Sequence, residues 1–188
     1  MVKPALLGII AIAATLFGAG PEWRSRIDLK PLLDDPSALH RLRIAYMYDD
    51  KPGQVFYLYG DGHLILQQLP TRRGVWADLV PTCTARVSED IIKDLIRLLI
   101  EKNFFDLPEK RFLFLYASAA SEEDLHLHTI IIEAEEGRSS RSFGTGTFGK
   151  ETQSIPPEFA EIEAAIQRIQ NDAFPPSKTC RVAPPLKF

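Results

Sequence analysis

The chain has 188 residues, of which 45% are hydrophobic and 25% are charged, a composition typical of an ordinary globular protein. This length is sufficient for one hydrophobic core and short for two full domains. The formal net charge is −3, and without the first twenty residues, where Lys3 is the only charge, 21 basic residues stand against 25 acidic ones. Because phosphate binding needs clustered Lys and Arg, this mildly acidic balance argues against a nucleic-acid partner.

The N-terminal segment carries no charge from Pro4 to Pro21. Residues 5–20 read ALLGIIAIAATLFGAG and follow Lys3, which is the order of residues in a secretory signal peptide. The length of the run lies where the ranges for a signal peptide and for a membrane-spanning helix overlap. Residues 1–20 are therefore predicted to be either a cleaved signal peptide or a retained membrane anchor.

Two features of this segment conflict over cleavage and orientation. Pro21 suits a signal peptidase badly as the residue after the cut, because of its ring and its missing N–H. Arg24, Arg26 and Lys30 follow the segment, and basic residues favour the cytoplasmic side of a membrane. The charged, then apolar, then small order nevertheless favours export, so we expect a cell-envelope protein with an extracytoplasmic domain.

The first predicted elements are a linker and a β-hairpin. Residues 21–42 mix charges with three prolines, which indicates a linker with one short turn. After a β-rich run at 44–48, two strand-like runs at 54–59 and 63–68 flank Gly60-Asp61-Gly62. Asp-Gly between two such runs predicts a tight hairpin, in which Gly62 adopts a positive φ at no steric cost.

Two amphipathic helices are predicted further along the chain. Ser88 precedes two acidic residues and a run with apolar residues at helical spacing, so the Ser88 hydroxyl is expected to cap a helix that ends near Lys102. Pro156 and Pro157 are typical of the start of the second helix. Additional strands are predicted at 79–87, 125–133 and 138–143, whereas the apolar run 111–120 fits either an edge strand or a packed loop.

Together these elements predict one α+β domain with a single antiparallel sheet. We expect about four to six strands in the order ββαββα, with two helices packed on one face of the sheet and an apolar helix in front. The predicted organisation is a signal peptide or anchor at 1–20, a linker at 21–42, the domain at 43–172 and a Pro-rich, extended tail at 173–188.

A glycine-rich segment matches a nucleotide-binding pattern in letters only. Residues 144–149 read GTGTFG, which satisfies G-x-G-x-x-G. A phosphate-binding loop needs these glycines to enter a helix directly within a parallel βαβ unit. Here residues 150–154 and two prolines intervene in an antiparallel context, so the segment is predicted to be a loop joining a strand to a helix.

Two histidines are the candidate metal ligands. His126 and His128 alternate on a predicted strand with Asp124, so all three project from one face. Two imidazoles and a carboxylate suit zinc, with His63, His40 or the acids near Glu122 as further possible ligands. The competing interpretation is a solvated polar face of the sheet, and it is favoured because no complete ligand spacing is present.

The two cysteines, Cys83 and Cys180, have two interpretations as well. In an exported protein two cysteines most often pair, and this pair would hold the Pro-rich tail near the strand that precedes the first helix. Two free thiols are the alternative, and neither residue sits in a pattern typical of a catalytic thiol.

Aromatic residues are concentrated in the first strands. Such side chains can form a binding face, although they more often pack across the sheet. The five residues are Tyr46, Tyr48, Phe56, Tyr57 and Tyr59.

The order of short motifs from about 43 to 171 resembles an uncharacterised family of small bacterial exported domains. The motifs are the Gly60-Asp61-Gly62 hairpin, the Ser88-Glu89 helix start, residues 103–107 (NFFDL), and Pro156-Pro157 before Phe159. The cysteine-containing turn of that family is absent here. The resemblance implies an exported α+β domain and no particular activity.

The functional hypotheses from sequence are three. The first is a non-catalytic binding or interaction module of the cell envelope, whose partner is a protein or a small ligand. The second is a zinc-dependent protein or enzyme that uses His126 and His128, and the third is an inhibitor of a protease or hydrolase. Residues 4–20 would contact the membrane if they are not cleaved.

Overall fold

The structure is a computed structural model, and it describes residues 27–48, 53–68, 79–107, 126–135, 137–148 and 151–186. The apolar segment 1–20, the run 111–120 and Asp124 lie outside the described residues. Within the described ranges, no helix is long and apolar enough to cross a membrane.

Among the described residues, seven strands form one continuous antiparallel sheet, and an eighth short strand pairs with the far end of β6. The spatial order is β7-β6-β5-β1-β2-β3-β4-β8. The strands are β1 Arg43–Tyr48, β2 Gln54–Tyr59, β3 His63–Gln68, β4 Val80–Arg86, β5 His126–Ala134, β6 Gly137–Phe148, β7 Glu151–Gln153 and β8 Arg181–Ala183. The predicted α+β class with a single antiparallel sheet is confirmed.

The predicted strand count and the order ββαββα are wrong. Four strands precede the first long helix, and β8 comes from the tail that was predicted to be extended without regular structure. The tail forms a strand because the Cys83–Cys180 disulfide holds it beside β4, where residues 80–82 pair with residues 181–183. The predicted pairing of Cys83 with Cys180 is confirmed, and only the strand that the tail forms beside β4 was not expected.

Four helices and a 3-10 turn at 104–106 accompany the sheet in the described ranges. The helices are α1 Pro31–Asp34, α2 Pro36–Leu39, α3 Glu89–Glu101 and α4 Pro157–Ala173. The apolar stripes of α3 and α4 belong to one core cluster with the side chains of a single sheet face. The buried helix residues are Ile92, Leu95, Ile96, Leu99, Phe159, Ile162 and Ile166. Ser88 occupies the N-cap position of α3, but its hydroxyl makes no capping hydrogen bond, unlike the prediction.

The hairpin between β2 and β3 has the predicted backbone. Gly62 has a φ of 85°, and its N–H donates to the carbonyl of Tyr59 at 2.9 Å. The Asp61 side chain accepts from the N–H of His63 at 3.0 Å, which closes the turn. Gly60 approaches α2 so closely that a Cβ there would lie 1.6 Å from the carbonyl oxygen of Leu39.

Part of the predicted linker packs in the core. From 27 to 42 the chain contributes five buried apolar side chains to the cluster beneath α3 and α4. They are Ile27, Leu29, Leu32, Leu39 and Leu42. The prolines do break a long helix as expected, but two four-residue helices still place these side chains against the sheet. Composition alone therefore underestimated the ordered core.

The glycine-rich segment is part of a strand, not the predicted loop. Gly144 pairs with Leu127 and Thr145 pairs with His126, both antiparallel, and β6 continues to Phe148. Gly149 lies outside the described residues. The glycines therefore do not run into the N-terminus of α4, which begins at Pro157. This geometry lacks the parallel βαβ context of a phosphate-binding loop.

Candidate functional site

One row of side chains crosses the sheet directly beneath α4. Gln54, Tyr48, His128 and Phe143 stand opposite one another on β2, β1, β5 and β6. Directly opposed residues in a sheet project from the same face, and here it is the face covered by the helices. The row thus brings an amide, a phenol and an imidazole together at one end of the core.

Glu163 of α4 projects onto this row and is only 6% exposed. Its Oε1 accepts a hydrogen bond from the Tyr46 hydroxyl and is also in contact with His128 Nδ1. Gln167, one turn further along α4, donates from Nε2 to the Tyr46 hydroxyl oxygen at 3.1 Å. Buried charges need such partners, so these contacts explain how a carboxylate is accommodated in the core.

The hydrogen-bond partners of His128 determine which of its ring nitrogens carries the proton. An ionised carboxylate can only accept, so His128 Nδ1 carries a proton and donates it to Glu163. His128 Nε2 lies 3.3 Å from Thr145 Oγ1 and can then accept from that hydroxyl. Tyr46, Glu163, His128 and Thr145 therefore form one chain of hydrogen bonds from β1 through α4 and β5 to β6.

Burial changes the acid strength of two phenols. Removal from water, and next the hydrogen bond to Glu163, raise the pKa of Tyr46 far above its ordinary value. Burial also raises the pKa of Tyr57, on the opposite face of the sheet, to about 12. Both phenols are therefore uncharged donors at neutral pH.

These two phenols should resist alkaline titration. Since their folded-state pKa values are raised, their contribution to stability is complete below about pH 10; that of Tyr57 is lost as the pH rises through about 12, and that of Tyr46 only at higher pH. Near-ultraviolet absorbance, recorded with circular dichroism, should show Tyr46 and Tyr57 ionising only as the protein unfolds. Titration of all five tyrosines near pH 10 in a folded protein would contradict this expectation.

The histidine pair lies on one face, as predicted, but at His128 that face is buried. The Tyr48 ring lies 4.7 Å from the ring of His128 and 6.1 Å from that of His126, centroid to centroid. His128 is only 8% exposed, because Glu163 and α4 cover it. The interpretation as a solvated polar face is therefore wrong for His128.

A zinc site is not assembled by the described residues. Among them, no group of three or more His, Cys, Asp or Glu side chains is arranged to hold a metal ion. His40 ends α2 and His63 begins β3, and Asp124 and Glu122 lie outside the described ranges. Both ring nitrogens of His128 already face protein partners, Glu163 and Thr145. Metal binding by His126, His128 and Asp124 remains a prediction from sequence.

A polar cleft opens beside this network, and we call it the Tyr48 cleft. It has a volume of about 150 Å³ and runs between the end of the β1–β2 pair and the last turns of α4. Gln170 of α4 donates to Gln54 of β2 across it, with Nε2 3.2 Å from Oε1. The residues that line it are Tyr46, Tyr48, Gln54, Gln167, Gln170 and Asn171.

The order hydroxyl, imidazole, carboxylate at Thr145, His128 and Glu163 matches that of a nucleophilic triad. Substrate access to these three groups argues against triad chemistry. The lining of the Tyr48 cleft includes neither Thr145 nor His128, and His128 is buried. In a triad the base takes its proton from the nucleophile, so Thr145 would have to reach the substrate, and a substrate held in the Tyr48 cleft would not touch it. The network instead connects β1 and β5 to α4 and fixes the floor of the cleft.

A larger groove of about 470 Å³ follows residues 27–30 and the C-terminal end of α3. Its lining begins at Ile27, the first described residue. The Glu163 network reaches the lining of the Tyr48 cleft through Tyr46 and does not reach the described lining of this groove. The Tyr48 cleft is therefore the better candidate site.

Sequence analysis found part of this site. Tyr46 and Tyr48 are two of the aromatic strand residues noted in the sequence, and both line the cleft, Tyr46 as a buried residue of its floor. Glu163 and Gln167 were missed. Glu163 lies four residues after Phe159, so a charged residue within the buried stripe of α4 was the available signal.

Comparison with known proteins adds no relative. No protein-family model and no curated protein matches the chain. The function therefore has to be inferred from the geometry of the site.

Proposed function

We propose that the protein is a non-catalytic binding module of the cell envelope, exported or membrane-anchored, and that its ligand site is the Tyr48 cleft. The proposal rests on a concave polar site whose floor is held in place by hydrogen bonds. The Tyr46 hydroxyl is held by Glu163 on one side and Gln167 on the other. Pre-organised polar groups in a cleft lower the cost of ordering side chains on binding.

The chemistry of the lining supports binding over catalysis. The described lining residues are two phenols and four carboxamides, none of which is charged at neutral pH. Glu163 and His128, the groups with acid–base chemistry, bind each other behind this lining. The cleft thus presents donors and acceptors without an exposed nucleophile among the described residues.

Two features support the envelope location. Lys3 followed by the apolar run 5–20 is typical of an export signal. The Cys83–Cys180 disulfide fits an oxidising compartment, where such bonds form and persist. The proposed envelope location is tested by N-terminal sequencing of the protein recovered from fractionated native cells. Recovery in the cytoplasmic fraction with both thiols reduced would contradict it.

The proposed binding of a ligand at the Tyr48 cleft is tested with a panel of small neutral compounds. The side-chain amide signals of Gln54, Gln167 and Gln170 can be followed by NMR while neutral monosaccharides, capped dipeptides and nucleosides are added one at a time. Asn103, which is exposed after the end of α3 and does not line the cleft, is the internal reference.

We expect at least one compound to shift the three cleft signals, to leave Asn103 unchanged and to be recovered chemically intact. The proposal fails if no compound shifts the cleft signals, or if a bound compound is converted. The zinc and inhibitor hypotheses stay predictions, since no described contact favours either.

A further inference from the structure

We infer that the Tyr48 cleft recognises one ring of a neutral saccharide. This inference rests on the proposed binding function and specifies its ligand class. It follows from three properties of the described lining: its lack of charge, its combination of phenol and carboxamide groups, and its size. Each property excludes a different class of ligand.

The described lining offers no charge to an ionic ligand. A phosphate, carboxylate or ammonium group loses its hydration on entering a cleft and needs an opposite charge to compensate. The described lining has no such charge, since the buried Glu163 is already bound by Tyr46 and His128. A ligand that matches this lining is uncharged and rich in hydrogen-bonding groups.

The carboxamides match hydroxyl groups. Each Gln or Asn side chain offers two N–H donors and one carbonyl acceptor, and each sugar hydroxyl both donates and accepts. Gln170 and Gln54 already make this kind of bond with each other across the cleft, at 3.2 Å. A ligand hydroxyl placed between them would exchange one amide–amide bond for two amide–hydroxyl bonds.

Tyr48 supplies the apolar part of the site. The imidazoles of His126 and His128 lie beside its ring, with centroids 6.1 and 4.7 Å away, and part of the ring lines the cleft. The negative face of an aromatic ring attracts the weakly positive C–H groups on the apolar side of a sugar ring. An aromatic surface next to several amides therefore fits a ring with one apolar face and a polar rim.

The size limits the ligand to a single ring. A volume of about 150 Å³ is well below the ~300–1,000 Å³ typical of sites for drug-sized ligands. A nucleotide or a peptide of several residues would extend far beyond it. A terminal or single sugar unit is the neutral ligand of suitable size.

The experiment compares four probes in the full chain by NMR titration: glucose, N-acetylglucosamine, glucuronic acid and a capped alanine dipeptide. We expect glucose or N-acetylglucosamine to shift the amide signals of Gln54 and Gln170. We expect the charged glucuronic acid and the dipeptide to bind at least tenfold more weakly. Tyr48→Ala should weaken sugar binding at least tenfold, and Tyr48→Phe, which keeps the ring, should retain it.

Arg168→Ala is the matched control, since Arg168 is exposed on α4 and does not line the cleft. Binding of the dipeptide at the cleft in preference to both sugars would overturn the saccharide inference and leave the binding function standing. The absence of any ligand-induced shift at the cleft would overturn both. The wild-type titration decides between these outcomes even if Tyr48→Ala does not fold.

Discussion

Loss of the Cys83–Cys180 disulfide is expected to lower the free energy of unfolding by about 4 kcal/mol. The bond joins residues 97 apart in sequence, so it restricts a long loop in the unfolded chain. In the folded protein it holds β8 against β4, where only three residue pairs connect the two strands. Denaturant unfolding with and without a dithiol reductant measures the effect.

Cys180→Ala is the variant that isolates the bond. Cys180 is exposed, whereas Cys83 is buried, so truncation at 180 leaves no cavity in the core. The variant should match the reduced wild-type protein and should not respond to the reductant. Equal unfolding midpoints for oxidised and reduced wild-type protein would show that the bond does not stabilise the fold.

The tail should also loosen locally when the bond is lost. Gln67 is 1% exposed and binds the tail twice, donating to the Pro184 carbonyl at 3.2 Å and accepting from the Leu186 N–H at 2.9 Å. Without the disulfide, these bonds depend on β8 alone to keep the tail in place. Faster amide exchange at Leu186 in Cys180→Ala is the expected local signature.

Glu163→Ala is expected to cost about 3 kcal/mol of stability. The substitution removes the acceptor of the Tyr46 hydroxyl and of His128 Nδ1–H together, and both donors are buried. A buried donor without a partner costs about 1–3 kcal/mol. Chemical denaturation of the variant and the wild-type protein measures the difference.

Two further variants serve as comparisons for Glu163→Ala. Glu161→Ala is the matched control on α4, because Glu161 is exposed and forms a surface ion pair with Lys102, which contributes less than about 1 kcal/mol. Glu163→Gln keeps a carbonyl acceptor and should lose less than Glu163→Ala. If Glu163→Ala were no less stable than Glu161→Ala, the network would have no structural role.

Glu163→Ala should also disturb the Tyr48 cleft. Glu163 holds the Tyr46 hydroxyl, and Gln167 at the cleft donates to that hydroxyl. A floor that is no longer fixed has to be ordered when the ligand binds, which weakens binding. The hydrogen-bond network and the proposed ligand site are therefore coupled through Tyr46.

Local sequence patterns were enough to identify most individual elements. Asp61-Gly62 between two β-rich runs gave the β2–β3 hairpin, because only glycine adopts a φ of 85° without strain. Apolar residues at helical spacing gave α3 and the stripe of α4. These signals depend on residues a few positions apart, so one sequence suffices to read them.

The candidate site and the sheet order depended on contacts that are distant in sequence. Glu163 meets His128 and Tyr46 across 35 and 117 residues, and Gln67 meets the tail across 117 and 119. No spacing rule predicts such pairs, because they arise only when α4 and the tail pack on the sheet. Local sequence patterns determined β1 to β6, the helices α3 and α4, and the shared face of His126 and His128. Packing decided that this face is buried under Glu163 and that a neutral polar cleft opens beside it.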